Sequence, residues 1–155
     1  MQSAINEQIN LEMFSANTYL SMSTYFAQQG LDGFAHWYYM QYKEELTHAE
    51  DMMHYVITRG GKVEIKAVAA VETEFNSPLE IAEKAYHHEC LVSEKIEGLV
   101  RIASEEKDMP SQDFFWKYIR EQVEEEANAT NLIDRLRLAE GHAILFLDKE
   151  LAARQ

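Results

Sequence analysis

Two pairs of residues set three apart, Glu45 with His48 and Gln122 with Glu125, each follow a lone glutamate by 33 residues: Glu12 before Glu45, and Glu89 before Gln122. On a helix, positions three apart share one face with about 5–6 Å between them, close enough to hold one ion together. Carboxylates with one imidazole and an amide, and no thiolate, suit iron or manganese. Zinc would fit such donors but has no redox chemistry. The carboxylates of Glu12, Glu45, Glu89 and Glu125 fall among apolar neighbours, where unpaired charge is costly or is lost by neutralisation. Two divalent cations balance four carboxylates and one does not, so the pattern predicts a dinuclear centre. In it Glu12 and His48 serve the first metal, Glu45 bridges both, and Glu89, Glu125 and Gln122 surround the second.

Tyr19, seven residues beyond Glu12 on the same face, reads as a packed aromatic, a hydrogen-bonding support for a ligand, or an electron source for oxygen chemistry. Glu44, Glu121 and Glu124 sit one step round their helices from the ligand candidates and form a candidate second, wetter carboxylate cluster. Glu126 reads as solvated, His88 as a surface residue, and methionines such as Met40, Met52 and Met53 as core filler. Cys90 directly follows Glu89, points about 100° away from it on a helix, and reads as a small packed side chain.

Holding these groups together takes four helices. The seams Ile5-Ile9-Glu12-Ala16-Tyr19-Ser23-Phe26, Phe34-Tyr38-Gln41-Glu45-His48-Met52-Tyr55, Leu79-Ala82-Tyr86-Glu89-Ser93-Ile96-Val100-Ala103 and Phe115-Tyr118-Gln122-Glu125-Ala129-Leu132-Leu136 step in alternating threes and fours, the repeat of helix faces packed in a bundle. Gly30, Asp32 and Gly33 separate the first two helices, and Gly60-Gly61 stop the second. Ser77-Pro78-Leu79-Glu80 opens the third, with Ser77 as N-cap, Pro78 at the first helical position and Glu80 closing a capping box. Residues 62–76 lack periodicity. At about 3.3 Å per residue they can cross a helix about 40 Å long, so helices two and three run parallel. Asp108, Met109 and Pro110 turn the chain into the fourth helix. The expected fold is all-α: one domain over 1–155, a four-helix bundle at 3–138 with one long crossover between helices 2 and 3, and a short C-terminal fifth helix at 142–152 after Gly141. The bundle is complete without that fifth helix. Its apolar Ile144, Leu145, Leu147 and Leu151 therefore call for a partner surface, which other copies of the chain would supply.

Among the 155 residues, 27 acidic side chains outnumber 14 basic ones for a net charge of −13, with no basic run. That balance argues against nucleic acid and anionic membrane surfaces and favours cations. The 46% hydrophobic content supplies a core of ordinary size. A lone cysteine excludes an internal disulfide framework and fits a reducing compartment. No apolar run approaches the roughly 20 residues of a membrane span, and the N-terminal residues lack a signal-peptide pattern. A soluble, cytoplasmic protein is expected.

Over essentially its whole length the chain resembles the bacterial non-haem ferritins. The carrying stretches are Asn6-Glu7-Gln8-Ile9-Asn10-Leu11-Glu12, Glu44-Glu45-Leu46-Thr47-His48, Tyr86 to Glu89, Glu121-Gln122-Val123-Glu124-Glu125-Glu126 and Asp148-Lys149-Glu150-Leu151. The resemblance implies a ferroxidase coupled to iron storage: a hollow shell of two dozen subunits that oxidises ferrous iron with dioxygen or hydrogen peroxide and keeps it inside as ferric oxyhydroxide. The short last helix would gather at the four-fold axes. By position, Glu12, Glu45 and His48 resemble the first iron site, and Glu45, Glu89, Gln122 and Glu125 the second. Glu44, Glu121 and Glu124 resemble the third-iron site of bacterial members, Tyr19 the family's tyrosine beside the centre, and Trp116 a tryptophan common nearby. No haem is expected, because Leu46 stands where a bacterioferritin would place its haem-ligating methionine and the second pair is Gln122/Glu125 rather than Glu-x-x-His. One cysteine excludes the iron module of a rubrerythrin, and the mixed C-terminal segment lacks the basic tail of the small DNA-protecting relatives. Two other readings of the same residues are a di-iron oxidase or peroxidase that stores nothing, and a helical interaction protein of the cytokine type.

Overall fold

The computed structural model describes residues 1–139 and 143–153. Its elements are α1 (Gln2–Gln28), α2 (Asp32–Thr58), α3 (Pro78–Glu105), α4 (Met109–Leu138) and α5 (Ala143–Leu151), with no strand among the described residues. The expected break at Gly141 and the expected first residue of the fifth helix, His142, lie outside the described residues. α1 pairs with α2 and α3 with α4 as hairpins, and α5 packs on α2.

Backbone chemistry sets the helix ends. Gly60, at φ +74, lets its own N–H reach Ile57 O and that of Gly61 reach Val56 O, both at 2.9 Å, the pairing of a left-handed helix stop. The end of α3 is built the same way, with Asp108 N–H on Ala103 O at 2.8 Å, but the left-handed position there is Lys107, at φ 56. At the start of α3, Ser77 Oγ accepts from Glu80 N–H at 3.1 Å. The return bond of the expected capping box goes one residue further back: Glu80 Oε2 accepts from Asn76 N–H at 2.9 Å, not from Ser77.

The long crossover lies along α1. Asn6 takes Lys62 O at 2.9 Å and Glu64 N–H at 2.7 Å, and Asn10 takes Glu64 O at 2.8 Å and Lys66 N–H at 2.7 Å. An asparagine side chain offers the donor and acceptor of a peptide group, so these two satisfy loop amides that have no ladder of their own. Further along, Ser21 Oγ donates to Glu72 O at 2.6 Å.

All seven residues of the first seam are buried. On α3 the buried line runs through Ala85, Val92 and Leu99, one step round from the expected Tyr86, Ser93 and Val100, which stay half-buried. Two apolar clusters fill the bundle. One holds Tyr19, Phe26, Phe34, Tyr38, Ile81 and Leu132 and receives Leu147 and Leu151 of α5. The other holds Ile5, Ile9, Met52, Ile96, Leu99 and Phe115. A polar layer of Glu12, Glu45, Glu89 and Gln122 lies between them.

Candidate metal centre

Each helix of the bundle sends a side chain into that layer at mid-length: Glu12 from α1, Glu45 and His48 from α2, Glu89 from α3, and Gln122 and Glu125 from α4. Glu12, Glu45 and Glu89 are 1%, 4% and 2% exposed. Glu125 and His48 are half-buried, so the charge sealed in the core is smaller than four carboxylates. One ligand atom from each of Glu12, Glu45 and His48 lies within 4.8 Å of the other two. Donor atoms about 2.1 Å from a common ion stand about 3–4 Å apart, so small side-chain rotations bring this triad onto one ion. Glu12 Oε2 and Glu45 Oε2 are buried with no hydrogen-bond partner, and His48 Nδ1 is 3.6 Å from that same Glu45 oxygen. A buried acceptor without a donor is costly, and a cation removes that cost.

Burial drives the electrostatics. It raises the Glu12 carboxyl well above the ordinary range, and the neighbouring Glu45 adds to the rise. Burial likewise pushes Glu45 up to about 8. Glu89 is also raised by burial, against the lowering pull of hydrogen bonds from Tyr19 and Gln122. Without metal the layer therefore holds protons that divalent cations would displace.

Among the other predicted ligands, Glu89 accepts from Tyr19 OH and, at 2.9 Å, from Gln122 Nε2. Glu125 Oε2 accepts from Gln41 Nε2 at 2.8 Å. Tyr19 thus supports a carboxylate, and burial raises its own phenol. Of the wetter cluster, Glu121 Oε2 lies 3.7 Å from His48 Nε2 and is buried without a hydrogen-bond partner, whereas Glu44 is half-buried and Glu124 exposed. The Glu44 charge adds to the rise of both Glu45 and Glu89. A cavity of about 20 Å³ beside Glu89, Glu125, Tyr19 and Gln41 has room for about one water molecule.

Two side chains differ from expectation. His88 is not a surface residue: it bonds Ser15 Oγ at 2.7 Å and its ring meets Tyr19 edge-on at 5.9 Å. Glu126 is not simply solvated, since it accepts from Ser93 Oγ and ties α4 to α3. Sequence reasoning also passed over Gln8, whose Nε2 donates to Glu12 Oε1 at 2.8 Å, and Tyr118, whose ring stands at 89° to His48 with centroids 5.2 Å apart while its hydroxyl donates to Asp51 at 2.8 Å. The position of Gln8, one helical turn before Glu12, was the available signal.

The family model described as Ferritin-like domain matches residues 2–139. The chain belongs to the ferritin family. It is 47% identical over 154 residues to a bacterial non-heme ferritin of Bacteroides fragilis, a match spanning 99% of this chain and 97% of that one. A probable bacterial non-heme ferritin-like protein of Haemophilus influenzae is 36% identical over 95% of this chain and 90% of its own. Among solved structures, the open pore ferritin of the hyperthermophilic archaeon Archaeoglobus fulgidus superposes with a TM-score of 0.97 at 46% identity, covering all of this chain and 97% of that one. As a ferritin the chain binds and stores iron. No helix among its described residues is long and apolar enough to cross a membrane.

Proposed function

We propose that the chain is a cytoplasmic ferroxidase that oxidises its own cargo. Fe(II) is its substrate, and two Fe(II) bind in the polar layer, the first at Glu12, Glu45 and His48, the second at Glu45, Glu89 and Glu125 with Gln122 beside it. Each iron gives up one electron; the pair reduces dioxygen to hydrogen peroxide, or peroxide to water, with protons taken from solvent. Glu44, Glu121 and Glu124 take up a third iron on the way out, and a shell of two dozen copies collects the ferric product. The observation that carries this reading is the convergence of Glu12, Glu45 and His48 within 4.8 Å, with two buried carboxylate oxygens left without a donor.

The reading of an oxidase that stores nothing needs room for an organic substrate at the metals. About 20 Å³ beside Glu89 and Glu125 does not provide it. The test is aerobic addition of Fe(II) to purified protein, following ferric absorbance and then the size and iron content of the product. Fast oxidation with iron retained in a large particle is expected. Glu45→Ala and His48→Ala should abolish the fast phase while leaving the helical circular dichroism unchanged, and undiminished oxidation in both would remove the assignment.

A further inference from the structure

Three buried or half-buried carboxylates of the layer are each held by one glutamine amide, and each amide comes from a different place in the fold. Gln8 Nε2 holds Glu12 Oε1 at 2.8 Å from within α1. Gln41 Nε2 of α2 reaches across the bundle to Glu125 Oε2 of α4 at 2.8 Å. Gln122 Nε2 of α4 reaches Glu89 Oε2 of α3 at 2.9 Å. Gln8 and Gln41 are 3% and 5% exposed, so neither is a surface residue that met a carboxylate by chance. Among the described residues no such amide reaches the fourth carboxylate, Glu45, which is the one proposed to lie between the two metal positions.

We propose that Gln8 and Gln41 are positioning residues that each fix one oxygen of a terminal carboxylate and so orient Glu12 and Glu125 toward their cations, while Glu45, held by no such amide among the described residues, bridges. This rests on the ferroxidase reading above. A neutral amide suits the task. It donates to a carboxylate without cancelling its charge, so the cation still meets a full negative group, whereas a lysine or arginine in its place would compete with the metal. At Glu12 the division is visible: Oε1 carries the amide and Oε2 has no partner. The same layout predicts separable effects, because Gln8 touches only the first position and Gln41 only the second.

The experiment is titration of the metal-free protein with Co(II) by calorimetry and visible absorption, for the parent chain, Gln8→Met, Gln41→Met and Gln41→Met on a Glu125→Ala background. Methionine keeps the length of the side chain and removes the donor. Loss of a hydrogen bond to a metal ligand typically weakens binding about 10–100-fold. Gln8→Met should weaken the first Co(II) site about tenfold or more and alter its band, Gln41→Met should do so to the second site alone, and Gln41→Met should add nothing once Glu125 is gone. Equal effects of either variant on both sites, or none on either, overturn the clasp. Failure of the parent chain to take two Co(II) overturns the dinuclear reading itself.

Discussion

Glu45 carries a heavy electrostatic demand. Its carboxyl is raised from 4.5 to about 8 by burial, so in the metal-free fold it holds a proton that the unfolded chain releases. For a carboxyl whose folded value is raised, stability is fully present below the unfolded value and declines as pH climbs toward the folded one. Glu12 and Glu89 move in the same direction, also through burial. Chelator-treated protein should therefore lose resistance to urea steadily from about pH 5 to about pH 8, a trend read from the unfolding midpoint at each pH. Metal reverses the sign of the problem by replacing the protons. Binding of Zn(II) at pH 7 should release at least one proton per chain, measured by calorimetry in two buffers of different ionisation heat, and proton-neutral binding would contradict the raised carboxyls. Tyr19 enters the same balance. Removing its donor by Tyr19→Phe should raise Glu89 further and weaken metal uptake at the second position before it changes the fold.

Helix ends and their neighbours decide how firmly this layer is held. Lys107 ends α3 at φ 56, a conformation that costs an L-residue about 1–2 kcal/mol and glycine nothing comparable. Lys107→Gly gives back part of that to the more flexible unfolded chain, so a net gain of about 0.5–1 kcal/mol is expected in thermal or urea unfolding; a loss would mean the lysine makes a contact that matters. Gly33 is the opposite case. A Cβ there would sit 1.7 Å from Asp148 O, because α5 crosses directly over the start of α2, where Asp148 Oδ1 accepts from Phe34 N–H at 2.9 Å. Gly33→Ala forces α5 away and should cost about 1–3 kcal/mol through overpacking and the lost cap. The sequence made the helices, the crossover and the six central ligand candidates readable, since each is a matter of period or spacing along one chain. Hidden from it were Gly33 against Asp148, Asn6 and Asn10 on the crossover, and Gln41 on Glu125. These depend on which helix faces which, and a one-step rotation such as that of α3 moves such partners without disturbing any period. Gln122 shows the same boundary: its place in the seam was evident, but not that its amide nitrogen turns to Glu89.

A charge of −13 on 155 residues makes each copy repel the next, so assembly has to be driven by apolar surface and relieved by cations. The described surface supplies such area near the end of the bundle. Leu138 is 83% exposed, Leu145 54% and Phe146 75%, while Leu147 and Leu151 on the other side of α5 are already buried in the first apolar cluster. α5 is therefore two-faced: one side is spent on its own bundle, and among the described residues nothing covers the other. Burying a phenylalanine contributes about 1.5–3 kcal/mol, and in a closed assembly every copy contributes the same contact, so the terms accumulate around each symmetry axis. Phe146→Asp removes that contact and adds a charge to a surface already rich in them. The isolated chain should hardly notice, because the side chain is exposed there, and its helical signal and Co(II) binding should persist. Sedimentation should instead show a shift from the large particle to small oligomers, reversed in part by raised ionic strength, which screens the added charge within about 8–10 Å. A particle of unchanged size would place the exposed face of α5 outside the subunit contacts and leave the apolar surface of α4 as the surface that other copies cover.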